Sequence, residues 1–224
     1  MPTTTEASPE PSHDSPDPLP TPARAWWIRA AALALALAFL GGAVGYLVGT
    51  RSSATPSNAV DIGFLQDMAD HHDQAITMAL ETYNRTQDPV IRGFAQDVLL
   101  FQRYELGQMD AYLADHRAAR AGFDPQRTTM SWMGMGTPLE SMTGMASRED
   151  MTALGHATGS DLDRTFLELM TAHHEGGVHM ASYAALHAAD PKVRALADRM
   201  AKFQATEINE YRQYRDGMNT TTTS

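Results

Sequence analysis

One stretch occurs twice in this chain: FLQDMADHHDQAITMA from Phe64 to Ala79, and FLELMTAHHEGGVHMA from Phe166 to Ala181. Each copy holds Phe-Leu, a Met, a His-His pair, an acidic residue and a closing Met-Ala. The match continues downstream without a gap, through an Asp-Pro pair to Glu105 in the first copy and Glu207 in the second. This constant register indicates an internal duplication of a unit of about fifty residues. Because repeat arrays need three or more units, two units predict a closed domain with a pseudo-twofold relation.

Composition narrows the functional classes. The chain has 224 residues and a formal net charge of -10, which disfavours nucleic acid as a partner because that partner requires a basic face. The acidic balance is compatible with binding cations. The chain has no Cys, which excludes disulfides and thiolate metal sites, whereas its 14 Met and 9 His leave thioether and imidazole ligands available.

The N-terminal part of the chain predicts a membrane anchor. Residues 1–23 are rich in Pro, Ser, Thr and acids, so we expect a disordered cytoplasmic tail. Residues 24–50 contain an almost uninterrupted apolar run, and roughly 20 such residues cross the hydrocarbon core of a bilayer. Two arginines flank its N-terminal side and one follows it, which favours a cell-membrane protein with its C-terminal domain outside the cytoplasm. The alternative is a cleaved signal peptide, but signal cores are usually only about 7–15 residues long.

Apolar residues at three- and four-residue steps predict four helices between residues 59 and 218, after a polar linker at 51–58. The predicted helices are Val60 to Thr86, Pro89 to His116, Asp161 to Ala188 and Pro191 to Gly217. An Asp N-cap followed by Pro starts the second and fourth helices, so each repeat forms an antiparallel hairpin. Two hairpins joined by a long link give an all-α four-helix bundle, followed by a loose tail at 219–224.

The link between the hairpins, residues 117–160, is unusually rich in methionine. Its methionines are Met130, Met133, Met135, Met142, Met145 and Met151. Flexible thioethers among Gly, Ser and Thr do not build a core well, so Met133 and Met135 could wrap a soft cation. The alternative is a cover that packs its methionines against the bundle. A capping pattern also predicts a short helix from Arg148 to His156.

Two carboxylates, Glu105 and Glu207, occupy apolar helix stripes, where a carboxylate is costly unless it is paired or bound to a metal. In an antiparallel hairpin the middle of one helix faces the middle of the other. Each Glu can therefore approach the histidine pair of its own repeat, His71–His72 or His173–His174. Adjacent residues point about 100° apart on a helix, so we expect one histidine of each pair to face inward.

Two interpretations of these residues remain open. In the first, the histidines and carboxylates form a buried polar network that fixes the register of the bundle. In the second, they bind a metal, because imidazole suits Cu, Zn, Fe and Ni, and thioether selects Cu(I). Met68 and Met78 can share a helix face with His71, and Met170 and Met180 repeat that arrangement, although Met at helical spacing usually fills a core. Outside the cytoplasm thiols tend to oxidise, so Met and His are suitable ligands for Cu(I) there.

The chain resembles the domain-of-unknown-function family numbered three-hundred-and-five in the doubled FLxxMxxHHxxxxxMA pattern and in GMASREDMTAL of the link. That family is ferritin-like, is common among exported bacterial proteins and includes copper-binding members. The resemblance covers Ala59 to Met218 and implies a ferritin-like bundle with a metal, copper above all, at Met and His. The family usually shows Gln-Gly-Ala after the histidines. Here Asp73-Gln74-Ala75 and Glu175-Gly176-Gly177 depart from it, so the two repeats need not be used equally.

We therefore expect a membrane-anchored, extracytoplasmic protein that binds copper, as Cu(I) or Cu(II), for tolerance, buffering or transfer to a copper-handling protein. The expected ligands are His71, His72, His173, His174, Met68, Met78, Met170, Met180, Glu105, Glu207, Met133 and Met135. We do not expect an enzyme, because ferritin-like di-iron oxidases use Glu-x-x-His, whereas this chain offers Gln-x-x-Glu at Glu105 and Glu207. The alternative is a non-catalytic structural or partner-docking bundle whose His/Glu core is only a polar network.

Overall fold

The structure, a computed structural model, describes residues 22–52, 56–122 and 124–221. Side chains are described for these residues except at 22–25, 48, 50–52 and 219–221. The disordered tail predicted for residues 1–23 lies outside the described residues except at its last two positions, which belong to a helix. The chain divides into two units between residues 54 and 55.

The described part of the first unit is one helix, α1 (Pro22–Ser52). Its segment Trp26–Leu47 has 22 residues and a mean hydropathy of 2.0, so it is long and apolar enough to cross a membrane. The side chains along this segment are exposed, Phe39 to 81%. A signal sequence near an N-terminus can have the same length and composition, so α1 could be a membrane span or a signal sequence.

The second unit is an all-α bundle of two hairpins, as predicted. Its long helices are α2 (Ala59–Tyr83), α3 (Pro89–Asp115), α5 (Gly159–His187) and α6 (Pro191–Thr221). The first hairpin pairs α2 with α3 and the second pairs α5 with α6, and α2 packs directly against α5. Helix α6 continues through the first three residues of the tail predicted to be loose at 219–224.

The turns within the hairpins form where the Asp-Pro pairs predict them. The Asp88 carboxylate accepts hydrogen bonds from the backbone N–H groups two and three residues on, at 2.8 and 3.3 Å, and Pro89 occupies the first helical turn. Asp190 accepts the equivalent bond at 2.7 Å before α6. Helix α2 ends at Tyr83, three residues earlier than the predicted Thr86, because the residues after it form the turn.

Two corresponding aspartates tie each hairpin to the turn of the other. Asp61 on α2 accepts hydrogen bonds from the backbone N–H groups of Ala189 and Asp190, at 3.1 and 2.9 Å. Asp163 on α5 accepts a hydrogen bond from the Thr86 hydroxyl at 2.5 Å. Because the two aspartates occupy equivalent positions in the two copies, this cross-bracing follows the pseudo-twofold relation that the sequence predicts.

The link consists of short elements laid on α2 and α5. They are an antiparallel pair of strands, β1 (Thr128–Thr129) and β2 (Thr137–Pro138), two 3-10 turns, Ser131–Met133 and Leu139–Ser141, and helix α4 (Arg148–His156). Helix α4 has the bounds that its capping pattern predicts, with Ser147 and Asp150 bonding each other's backbone N–H. The link therefore forms a cover over the contact between the two hairpins.

Candidate metal centre

The two histidine pairs lie in the middle of α2 and α5, and all four imidazoles are buried, at 0–1% exposure. The expectation that only one histidine of each pair faces inward is therefore wrong. Each of these two helices has a neighbour on two sides, its own hairpin partner and the corresponding helix of the other hairpin. Side chains about 100° apart on one helix can then both point into the interior.

The second histidine of each pair contacts the glutamate of its own hairpin. His72 Nε2 lies 2.8 Å from Glu105 Oε2, and His174 Nε2 lies 2.9 Å from Glu207 Oε2. The Nδ1 atoms of both rings have no hydrogen-bond partner within the described residues. A carboxylate that accepts the Nε2–H fixes the ring tautomer and leaves Nδ1 as a free acceptor.

The first histidine of each pair meets its counterpart across the two hairpins. The His71 and His173 rings have their centroids 3.6 Å apart at an interplanar angle of 34°. No nitrogen of either ring makes a hydrogen bond of regular geometry to a described residue, although the Thr143 backbone approaches the His71 ring and the His71 backbone approaches the His173 ring. Burial lowers the pKa of both imidazoles well below the usual value, and the neighbouring imidazoles add to this effect. Both rings are therefore neutral at physiological pH.

The two histidine pairs thus hold six imidazole nitrogens without a regular hydrogen bond to a described residue, two on each of His71 and His173 and one on each of their neighbours. The amide oxygens of Gln102 and Gln204 are also buried without a partner among the described groups. Buried polar groups are normally satisfied, and leaving one unsatisfied costs about 1–3 kcal/mol. In the ranges that the structure describes, no three His or carboxylate side chains gather as a ready metal site. A metal bound in this core would need further donors.

The helix methionines can supply such donors, but they associate across the hairpins rather than within one. Met68 of α2 shares a buried cluster with Met180 of α5, and Met78 shares the second cluster with Met170. All four are fully buried. Met68 and Met78, which the helical spacing places on the His71 side of α2, therefore belong to different clusters at the two ends of the bundle.

The two methionines singled out in the link have different environments. Met133 is 9% exposed and joins the buried cluster of Met68 and Met180, together with Met130 and other link residues. Met135 is 48% exposed. The link therefore covers the bundle and packs Met133 into it, and Met135 does not lie with the other thioethers.

A buried aspartate that the sequence interpretation missed holds the link in place. Asp67 accepts hydrogen bonds from Arg127 Nη1 at 2.8 Å, from the Met130 backbone N–H at 2.7 Å and from Trp132 Nε1 at 2.8 Å. The available signal was a difference between the copies, because the second copy has Leu169 where the first has Asp67. A carboxylate with no counterpart indicates a contact that only one hairpin makes.

The profile of the family described as Domain of unknown function DUF305 matches residues 61–215 of this chain. The chain belongs to the DUF305 family. The crystal structure of a DUF305 protein from Streptomyces coelicolor is 35% identical to it with a TM-score of 0.61, over 68% of this chain and 89% of that one. The family resemblance stated from the sequence is confirmed.

Other solved structures identify the fold of this DUF305 chain as ferritin-like. CopM in its Cu(I)-bound form is 24% identical with a TM-score of 0.53, over 70% of this chain and 96% of that one. A dodecameric thioferritin from Bacteroides fragilis is 11% identical with a TM-score of 0.52, over 72% of this chain and 89% of that one.

A protein of Acanthamoeba polyphaga mimivirus is 37% identical over 57 residues, which span 25% of this chain and 38% of that protein.

Proposed function

We propose that this DUF305 chain binds copper outside the cytoplasm, for tolerance, buffering or transfer to a copper-handling protein. One observation supports this above all: the two histidine pairs bury six imidazole nitrogens that make no regular hydrogen bond to a described residue. Nitrogens in that state carry a free-energy cost that a bound cation would recover.

The alternative, a polar network with a purely structural role, accounts for only half of the imidazoles. His72 and His174 each have a glutamate partner, as a network requires. His71 and His173 have none in the described part of the bundle, and a network that leaves members unsatisfied is less stable than an apolar core.

The glutamate contacts themselves fit a metal centre. Histidines that ligate metals almost always donate their other ring N–H to a carboxylate or a carbonyl, which orients the ring and raises its basicity. His72 and His174 have this arrangement, with Nε2 on a glutamate and Nδ1 free. We therefore assign Glu105 and Glu207 to orienting the imidazoles, and the histidines to supplying part of the cation's ligand set.

Copper suits this set of donors better than zinc or iron. Metal ligands must be deprotonated, and the lowered pKa of His71 and His173 keeps both imidazoles neutral. Zinc sites use at least three His, Cys or carboxylate ligands, and no such group of three is gathered within the described ranges. The soft donors that the described core adds are the buried thioethers of the two methionine clusters, which come before and after the histidines along α2 and α5, and thioether selects Cu(I).

The relatives agree with this assignment. CopM, which shares the fold, has been solved in Cu(I)-bound, Cu(II)-bound and Ag-bound forms. The Streptomyces coelicolor relative is named as a candidate secreted protein, and α1 is apolar enough to anchor this chain in a membrane. We propose a single-pass anchor with the bundle outside the cytoplasm, no catalytic activity and no nucleic-acid partner.

Copper titration of the full chain in detergent tests this function. Cu(I) is presented in competition with a chromophoric chelator, and the copper retained per chain is measured. We expect stoichiometric retention by the parent protein and loss of binding in the His71→Leu/His173→Leu double variant. The matched control is His179→Leu, because His179 lies exposed on the same helix, α5, and should leave retention unchanged. If the parent retains no copper and its unfolding temperature does not respond to copper, the structural alternative is correct.

A further inference from the structure

A cleft of 400 Å³ lies between the link and α5, directly outside the histidine layer. Met145 and Asp150 line it from the link side, and Glu175 lines it from α5. Gly144 and Gly176 lie between them. The cleft therefore presents one thioether and two carboxylates beside two residues that have no side chain.

The two glycines leave only backbone between this cleft and an unpartnered nitrogen. A Cβ atom on Gly144, whose φ is +83°, would lie 3.0 Å from His71 Nε2 and 2.7 Å from the His173 carbonyl oxygen. A Cβ atom on Gly176 would collide with the Thr143 carbonyl oxygen. The Thr143 backbone also lies close to the His71 ring, and this contact offsets part of the lowering of the His71 pKa that burial causes. The contact does not have the geometry of a regular hydrogen bond to either His71 nitrogen.

Met145 is held at the rim of the cleft by its neighbour. The Gln74 side-chain amide donates to the Ala146 carbonyl oxygen at 2.9 Å and accepts from the Ala146 N–H at 2.7 Å. Met145 is half-buried and packs against the methionine cluster, whereas Met142, a member of that cluster, is 2% exposed. A cation that approaches from solvent on this side can reach the Met145 thioether before any fully buried sulfur.

The charges of the lining residues distinguish this cleft from a groove on another side of the bundle. The residues that line the cleft include Asp150 and Glu175 and no Lys or Arg, although Arg212 pairs with Glu175 and offsets part of its charge. A groove of 490 Å³ between α3 and α6 also reaches the layer, at Glu105, but Arg199 and Lys202 line it. Fixed positive charge lowers the local concentration of cations, so the groove is the less favourable route.

We propose that the cleft between the link and α5 is the route by which a soft monovalent cation reaches His71 and His173, with Met145 as its first thioether ligand. This inference depends on the copper binding proposed above. It adds a route and a ligand, Met145, that equilibrium binding alone does not reveal.

The rate of copper uptake tests the route separately from its affinity. Cu(I) is transferred from its bicinchoninate complex to the full chain in detergent, and the second-order rate constant is read from the loss of the complex's absorbance in stopped flow. We expect Met145→Leu to slow the transfer on the order of tenfold, because leucine keeps the volume and removes the soft donor. Glu175→Gln should slow it by roughly threefold through lost electrostatic steering, less so at high salt. Neither change should alter the final copper stoichiometry.

Matched variants complete the test. Met151→Leu removes a thioether that lines the neighbouring cavity but not the cleft, and Glu210→Gln removes an exposed carboxylate from α6. Both should leave the rate unchanged. Full uptake at the parent rate in the Met145→Leu and Glu175→Gln variants refutes the route but keeps copper binding. Faster uptake in Lys202→Gln, with the cleft variants unaffected, assigns access to the groove instead. A parent chain that takes up no copper ends both proposals.

Discussion

Replacing His71 and His173 together with leucine should stabilise the metal-free protein at neutral pH. Each ring buries two nitrogens without partners in the described core, and an unsatisfied buried polar group costs about 1–3 kcal/mol. A hydrophobic replacement of similar volume usually costs less than about 1.5 kcal/mol in packing. If each ring counts as one unsatisfied group, the two rings cost about 2–6 kcal/mol, and packing two leucines costs up to about 3 kcal/mol. At the middle of these ranges the free energy of unfolding should rise by about 2 kcal/mol.

The same double substitution should remove a pH dependence. Burial lowers the folded-state pKa of both imidazoles well below 6.5, so below that pH the unfolded chain binds protons that the folded chain does not. Stability is then fully present above about pH 6.5 and falls on acidification, by up to about 1.4 kcal/mol per pH unit for each histidine. Asp70 and Asp163 have raised pKa values because of burial, so their contribution has the opposite sign and appears at lower pH.

Urea unfolding of the metal-free chain, followed by circular dichroism between about pH 7.5 and about pH 5, measures both effects. On acidification across this range, the free energy of unfolding should fall more steeply in the parent than in the double variant. The difference between the two slopes should be no more than about 2.7 kcal/mol per pH unit. His72→Leu is the informative comparison, because it leaves the half-buried Glu105 carboxylate without its imidazole partner and should destabilise by about 1–3 kcal/mol. If the double variant is less stable than the parent and keeps its pH slope, His71 and His173 are ordinary structural histidines and the reasoning fails.

Four further substitutions test the connections around the site, each by urea unfolding. Asp61→Ala should lower the free energy of unfolding by about 3 kcal/mol, because its carboxylate accepts three backbone N–H bonds. Asp163→Ala should lower it by about 1 kcal/mol, because that carboxylate accepts one hydroxyl bond. Equal losses of stability would contradict this reasoning. Asp67→Asn should cost about 2 kcal/mol and speed proteolysis of the link, since three donors lose a charged acceptor; an unchanged cleavage rate would show that other contacts hold the link. Gly176→Ala should lower the free energy of unfolding by about 1–3 kcal/mol because the new Cβ meets the Thr143 carbonyl oxygen. An unchanged stability would show that the link backbone around Thr143 can move away without cost.

Local pattern was sufficient to predict the hairpins. The helical spacing of apolar residues located the helices, and the Asp-Pro pairs located the turns. The antiparallel hairpin also let Glu105 approach the histidine pair of its own repeat, where it contacts His72. Each of these inferences involves residues close in sequence or joined by one short turn. Geometry over such distances follows from the 1.5 Å rise and the 3.6-residue period of a helix.

The contacts between the hairpins could not be derived in the same way. Periodicity shows which face of a helix is buried but not which other helix covers that face. The spacing placed Met68 and Met78 on one face of α2 with His71, and only the packing of α2 on α5 shows that Met68 clusters with Met180. The stacking of His71 on His173 has the same origin, since it depends on how two separately formed hairpins dock.

Duplication and divergence have separate consequences in this bundle. The pseudo-twofold relation supplies equivalent histidines from both hairpins, so the buried layer is nearly symmetric. A single link, however, can cover only one side of a twofold contact, and the residues beneath it must differ. The Gln74 side-chain amide hydrogen-bonds the Ala146 backbone of the link. At the equivalent position of α5, Gly176 has no side chain, and the Thr143 carbonyl oxygen occupies the space that a Cβ atom would need. The difference between Gln74 and Gly176 therefore matches the one-sided position of the link. The link is therefore held differently by the two helices: a Gln side chain of α2 hydrogen-bonds it, whereas α5 meets it only through the backbone of Gly176.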